Sequence, residues 1–537
     1  MAHGPVAGHS RSAGLLVWAS VLAISGGAYA QTSVQEQIVQ IDRQIAELQA
    51  QADLLRKQVA LEAAPTGHAL TNAPAVSDSK LEQSDTAGTR TTELLKPGQV
   101  RMGSTVVTLG GYVDGSAVFR LHNLMADVAT PFAALPFPSQ GDVGRNTEFR
   151  GSARASRLNL GIEDGKGLDG VRLSAFGEID FLGASGDAAN LRQVNGFQPR
   201  LRQAWMAAES GGDSGYLLMA GQAHSLITPS RGKGIASLHE DLPPVIDEQA
   251  VVGTNFSRQW QVRLVKDLGS VSLAGSVESP QTLWGNTVMP VGFVRFVPTS
   301  TPHSSLGNRP IPIDGLPDVA VKLTVHKPFG QFELFGLGRV FRLDDGPNGG
   351  TVSTNGLAGG VNARVHASPS LGIRSSFSYG TGLGRYGAAQ LPDATSDSAG
   401  KPVAIKAFHG QVGLVYQPSP QWSAYLYGGF EKAFEAGAGS AGGQLFGYGN
   451  PARLNNGCTG TVSALERGIS FCDGDTQTVS EVTAGGWLTL SQGRQGRLQL
   501  GSQVAYVRRT LFADQNGLAP YADNWMVYTS LRYTPFW

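Results

Sequence analysis

The sequence predicts an all-β transmembrane barrel of about 16 antiparallel strands, preceded by an N-terminal coiled-coil helix. Three observations carry this expectation. Period-two alternation of apolar and polar residues recurs from Val106 to the end of the chain, with turn residues between the runs. Very short turns alternate with much longer polar loops. The chain opens on a segment with the marks of a secretory signal and ends on a strand closing at Trp537.

The clearest pattern is RLNLGIEDGKGLDGVRLSAFGEIDF, Arg157 to Phe181. Leu158, Leu160 and Ile162 alternate with Arg157, Asn159 and Glu163. Beyond the Gly/Asp-rich turn, Val171, Leu173, Ala175, Ile179 and Phe181 oppose Arg172, Ser174, Glu178 and Asp180. A soluble sandwich buries such an apolar set, whereas a barrel in lipid turns it outward and keeps charge in the lumen. The hairpin is compatible with both, and the ends of the chain favour the barrel.

Composition agrees. Of 537 residues 71 are Gly, while only 16% are charged, the balance expected of many Gly-rich turns between short strands. Lys+Arg and Asp+Glu are equal at 42 each. Removing residues 1–30, which hold Arg11 and no acid, leaves 41 against 42. No basic stripe points to nucleic acid. After residue 30 no run of 18 apolar residues occurs, which excludes a helical membrane protein.

In chain order, residues 1–30 read as a signal peptide: Arg11, an apolar core from Leu15 to Ile24, and Ala28-Tyr29-Ala30 as a cleavage site. Residues 31–62 read as a periplasmic coiled coil. Val34, Ile41, Leu48 and Leu55 fall at heptad position a, and Ile38, Ile45, Ala52 and Val59 at d. Isoleucine at both positions leans towards three strands. A helix of about four heptads is marginal alone, so it is expected to form by association. Residues 63–100, rich in Ala, Thr, Ser, Gly and Pro, read as a flexible linker. Residues 101–537 read as the barrel.

Within the barrel, runs such as Tyr216–Gln222, Gln259–Leu264, Val319–His326, Arg374–Tyr379, Ser423–Phe430 and Arg497–Val507 read as strands. The stretches 280–317, 342–358, 381–405 and 434–476 read as long loops. In the last strand Val527, Leu531, Tyr533 and Trp537 share one parity, opposed by Tyr528, Ser530, Arg532 and Thr534. A terminal aromatic of this kind resembles the signal read by the barrel-assembly machinery, although Phe is the commoner last residue.

Taken together, the signal segment, the coiled coil, GGYVDGSAVF, SRLNLGIE, GEIDF, LRQAWM, LLMAGQ and the closing LRYTPFW resemble the DcaP-like trimeric porins of Gram-negative bacteria. The resemblance spans essentially the whole mature chain. It implies a homotrimer in outer-membrane lipid, joined by the periplasmic coiled coil. It also implies passive diffusion of small, preferentially anionic solutes such as dicarboxylates. No energy source, cofactor or metal is expected.

Parity places Arg120, Arg157, Arg172, Arg202, Arg263, Lys322 and Arg339 on lumen faces, opposed by acids that include Asp114, Glu178, Asp180, Glu278, Asp318 and Glu333. Arginine suits a carboxylate pathway because its planar fork binds carboxylate at two points and stays charged. The same charges could instead pair across neighbouring strands and stiffen the wall. The arginine density between 145 and 202 marks that region as the expected narrowing. Glu178 and Asp180 form an E-x-D pair on one face, as the opening of a laminarinase-like hydrolase motif does, but Leu182 and Gly183 stand where a third acid is needed. The chain is therefore not expected to be an enzyme. Cys458 and Cys472 share one polar loop and are expected to form a disulfide. In the chain-entropy model such a closed loop gains roughly 3 kcal/mol. The competing readings are a structural envelope protein that uses the coiled coil as a tether and, less favoured, a barrel hydrolase.

Overall fold

The computed structural model describes residues 95–137, 145–164, 167, 170–183, 198–211, 214–285, 313–344, 350–459 and 472–536. The expected signal peptide, the coiled coil and most of the linker lie outside the described residues. The sheet begins at Gln99, slightly before the expected boundary at 101.

Sixteen strands close into one antiparallel barrel. They are β1 (Thr105–Arg120), β2 (Glu148–Ser152 with Arg157–Asp164), β3 (Val171–Asp180), β4 (Arg200–Ser210), β5 (Tyr216–His224), β6 (Arg258–Leu268), β7 (Val271–Glu278) and β8 (Asp318–Lys327). There follow β9 (Gly330–Asp344), β10 (Thr351–His366), β11 (Leu371–Thr381), β12 (Lys406–Ser419), β13 (Trp422–Ala433), β14 (Thr476–Gly493), β15 (Gly496–Leu511) and β16 (Tyr521–Thr534). The two parts of β2 are a single lane, since both pair with β1. Closure runs from Val113 opposite Tyr533 to Arg120 opposite Met526. The short strand Gln99–Met102 continues the lane of β16 along the first residues of β1.

Seven turns of two to six residues join strands at one end, and the long loops lie at the other. In the turn between β6 and β7, Gly269 has φ +71, a left-handed conformation that glycine adopts without strain. One expected loop is corrected. Most of 342–358 is strand, because β9 runs on to Asp344 and β10 starts at Thr351. Its sequence, TVSTNGLAGGVNARVH, places glycine and alanine where strand sequences usually carry branched residues, so the alternation is faint.

The outward face is apolar. Leu158, Leu160, Leu218, Leu264, Val321, Leu334, Leu426, Val482 and Leu531 are all exposed. Exposed aromatics stand at both margins: Tyr216, Tyr416, Trp422 and Tyr533 near the turns, and Phe149, Trp260, Tyr379 and Trp525 near the loops. A closed barrel with charge inside and an apolar belt edged by aromatics is organised for lipid. The loop 434–475 is pinned by a disulfide between Cys458 and Cys472.

Candidate functional site: an arginine-lined cavity under an inward loop

The connection between β5 and β6, residues 225–257, folds into the barrel instead of outward. Pro229, Pro243 and Pro244 cannot donate backbone hydrogen bonds, and the segment makes almost no ladder of its own. Buried backbone groups need partners, and wall side chains supply them. Glu278 accepts from Leu226 N at 2.8 Å, and Glu333 from Ser230 N at 3.1 Å. Gln503 accepts from Ile246 N at 2.6 Å, Glu481 from Val252 N at 2.9 Å and Glu431 from Gly253 N at 2.9 Å. The indole of Trp487 donates to Pro244 O at 2.9 Å, and the Tyr528 hydroxyl to Asp247 at 2.9 Å. Lys233 reaches the carbonyl of Gly269, in a short turn, so the loop extends to the turn end of the barrel.

Backbone also meets backbone. A methyl group on Gly429 of β13 would lie 1.9 Å from Val252 O, so only glycine lets the loop rest flush on that strand. Around this contact Ile246, Val251 and Val252 pack with Tyr425, Tyr427, Val479, Trp487, Val507 and Tyr528 of the wall. Phe132, Leu135 and Phe137 from the first long loop join the same cluster. An apolar core thus sits inside the lumen, against β13–β16.

Beside the loop lies a cavity of about 620 Å³. Seven arginines line it: Arg157, Arg202, Arg231, Arg364, Arg374, Arg497 and Arg532. The acids on its lining, Glu240, Asp241, Asp247 and Glu248, all belong to the inward loop. Arg157 pairs with Glu248, and Arg364 and Arg374 share Asp241 at 3.2 and 3.0 Å. Arg532 bonds Asp114 at 2.7 Å and lies over the rings of Tyr112 and Trp487. In these pairs the cations are the more accessible partners. The arginine side chains are 18–27% exposed, against 9% or less for Asp114, Asp241 and Glu248. The carboxylates lie beneath a layer of guanidinium groups. Burial works against the charged form of Glu240, but the charges of Arg202 and Arg157 outweigh it and hold the group below its ordinary value. Glu248 is depressed likewise: desolvation opposes ionisation, and Arg157, Arg202 and Arg532 overcome it.

The arginines and lysine expected to line the pore divide into groups. Arg157 and Arg202 border the cavity. Arg202 also holds Glu178 at 2.6 Å and Asp180 at 2.9 Å, and Arg200 grips Asp180 as well. Both carboxylates of the E-x-D pair therefore accept from arginine. Arg120 is fully buried, bonds Glu148 at 2.9 Å and steadies the first long loop through Ala126 O. Arg263 is enclosed between Gln261 and the His224 carbonyl. Lys322 holds the inward loop through Thr228 O and Ser230 and pairs with Glu333 at 3.4 Å. Arg339 bridges Asp318 at 3.0 Å and Asp393 at 2.7 Å. Arg172 is exposed near the turn end, paired with its cross-strand neighbour Glu209. Five of the seven thus serve the wall and its loops, because each found a carbonyl or an acid within reach. Of the arginines between 145 and 202, Arg150 and Arg154 pair with Glu148 and Asp127. The cavity drew instead on Arg374, Arg497 and Arg532, on strands whose parity pointed inward, on Arg364 of the faintly alternating β10, and on Arg231 of the inward loop.

Comparison with known proteins gives the fold. No family model matches the sequence, and no curated protein matches it. Among solved structures, the outer membrane channel DcaP of Acinetobacter baumannii matches with a TM-score of 0.56 at 17% identity, over 82% of this chain and 99% of that one. An anion-selective porin from Comamonas acidovorans matches with a TM-score of 0.43 at 12% identity, over 80% and 99%. The barrel therefore shares the fold of the DcaP outer membrane channel.

Proposed function

We propose that the protein is an outer-membrane porin through which small hydrophilic solutes diffuse passively, with a preference for anions such as dicarboxylates. The observation that carries this reading is the layering at the cavity: accessible guanidinium groups over shielded carboxylates. A passing carboxylate meets N–H donors first and feels the acids only behind them. Rings of like charge in a pore select by sign, and the arginine fork holds carboxylate at two points. The apolar belt and aromatic margins support an outer-membrane location. Assembly as a homotrimer rests on the heptads of residues 34–62, and entry into the membrane through the assembly machinery on the last strand. No cofactor enters the mechanism.

Liposome swelling tests the reading. Vesicles carrying the protein should swell faster in succinate than in a neutral solute of similar size such as arabinose. Equal rates, or no swelling with correctly folded protein, would refute it and favour the tether.

A further inference from the structure

We propose that Arg258, with Phe256 beside it, forms an outer carboxylate-binding station at the loop end of the barrel, through which solutes reach the arginine-lined cavity. The proposal rests on the anion-porin reading and adds to it a first contact and a direction.

Arg258 is the first residue of β6, so it stands at the loop end of the wall, directly across from His224 of β5. It differs from the other arginines of this region. Arg157, Arg200, Arg202, Arg364, Arg374 and Arg532 each have a carboxylate partner, and Arg231 and Arg263 donate to backbone carbonyls. Among the described residues Arg258 has none, and its Nη1 is enclosed without an acceptor. Its contact is with the ring of Phe256, whose centroid lies 5.6 Å from the guanidinium carbon. A cation over an aromatic face is oriented by the ring but keeps its N–H groups for another acceptor. The positive charges of Arg202, Arg200 and Arg157 act on the same position, with Asp180 opposing them. The surroundings are thus short of negative charge, the residue is only partly buried, and a donor without a partner is costly until an acceptor arrives. A carboxylate supplies that acceptor.

The station is continuous with the cavity. Phe256 itself lines the cavity, as do Arg157 and Arg202. Further along the wall, Arg532 and Arg497 carry the guanidinium surface towards the turn end, Arg497 lying next to the turn between β14 and β15. A solute released from Arg258 therefore passes the ring of Phe256 and meets the next guanidinium groups of the cavity lining.

The test is block of single-channel current by succinate, added in turn to each chamber, for the full-length protein and for Arg258→Gln and Arg258→Lys. The wild type is expected to bind succinate more tightly from the loop side. Arg258→Gln should weaken that block by roughly tenfold, as loss of a two-point charged contact does, and weaken block from the turn side much less. Arg258→Lys should restore only part of it, since an ammonium keeps the charge without the fork. Unchanged loop-side block in Arg258→Gln, with wild-type anion preference intact, would overturn the station and leave the porin reading standing. An equal drop in potassium chloride conductance and in succinate block would mean a distorted barrel mouth, and would overturn it as well. Absence of anion preference in the wild type would remove the reading on which the proposal rests.

Discussion

Two sides of the same lumen are built as though for different solvents. Against β13–β16 the inner wall carries Tyr425, Tyr427, Val479, Trp487, Val507 and Tyr528, and loops pack on it as on an ordinary protein core. Around the cavity, the wall offers Arg157, Arg202, Arg364, Arg374, Arg497 and Arg532. The inward loop is the partition between the two. Ile246, Val251 and Val252 are buried on the apolar side, while Asp241 and Glu248 pair with the arginines. The difference teaches that a loop folded into a barrel needs a dry side to hold it still, which leaves the opposite side free to carry charge around open space.

The largest expected effect lies on the dry side. Trp487→Ala removes a core ring and the bond to Pro244 O, and should cost about 3–5 kcal/mol, as buried aromatic truncations do. Urea unfolding and open-channel noise should both report it. A stable, quiet channel in this variant would mean that the apolar packing does not hold the loop. Next comes the contact at Gly429. A methyl group there meets Val252 O, so Gly429→Ala should shift the loop towards the cavity and lower conductance. An unchanged conductance would show that the loop can retreat elsewhere.

On the wet side, Glu248→Gln removes the counter-charge of Arg157 and weakens that of Arg202 and Arg532. Anion preference should rise by roughly threefold to tenfold, the scale of about 1 kcal/mol. A fall would mean that the glutamate positions the arginines more than it opposes them. The pH dependence follows from depressed acids. Glu240 and Glu248 are both held below their ordinary values by the neighbouring arginines, so both remain ionised as pH drops from 7 towards 5. Because the folded-state values are lowered, their contribution is complete above the unfolded values and is lost only as pH falls through the depressed ones. The difference in anion preference between wild type and Glu248→Gln should therefore be constant across that range, and a difference that shrinks between pH 6 and 5 would contradict the assignment. Arg172→Ala, at an exposed pair near the turns, should be the smallest effect, within about 0.5 kcal/mol of stability and without change in selectivity.

The alternation in the sequence made the lipid-facing half of the barrel legible. Leu158, Leu160 and Ile162 face outward as one parity because a pleated strand allows nothing else. The inner half was less legible. Tyr425 and Tyr427 alternate with Leu426, so that strand is apolar on both faces, and alternation cannot reveal that a loop will cover one of them. The loop is held by partners far along the chain, such as Gln503 for Ile246, and local pattern carries no trace of such pairs. Arg157 and Arg202 were readable as lumen residues, as were Arg374 and Arg532 by the same parity. What parity could not supply is whether a carboxylate or a carbonyl stands opposite, and this separates Arg339 and Lys322 from the residues that border open space.

The most direct test of the account is the reversal potential across a planar bilayer under a potassium chloride gradient, for wild type and for Arg157→Ala with Arg532→Ala. The account predicts a wild-type potential of the sign that marks anion selectivity, moving towards zero in the double variant with the single-channel conductance retained. A wild-type potential at zero or of cation-selective sign, or a double variant indistinguishable from the wild type, would contradict it.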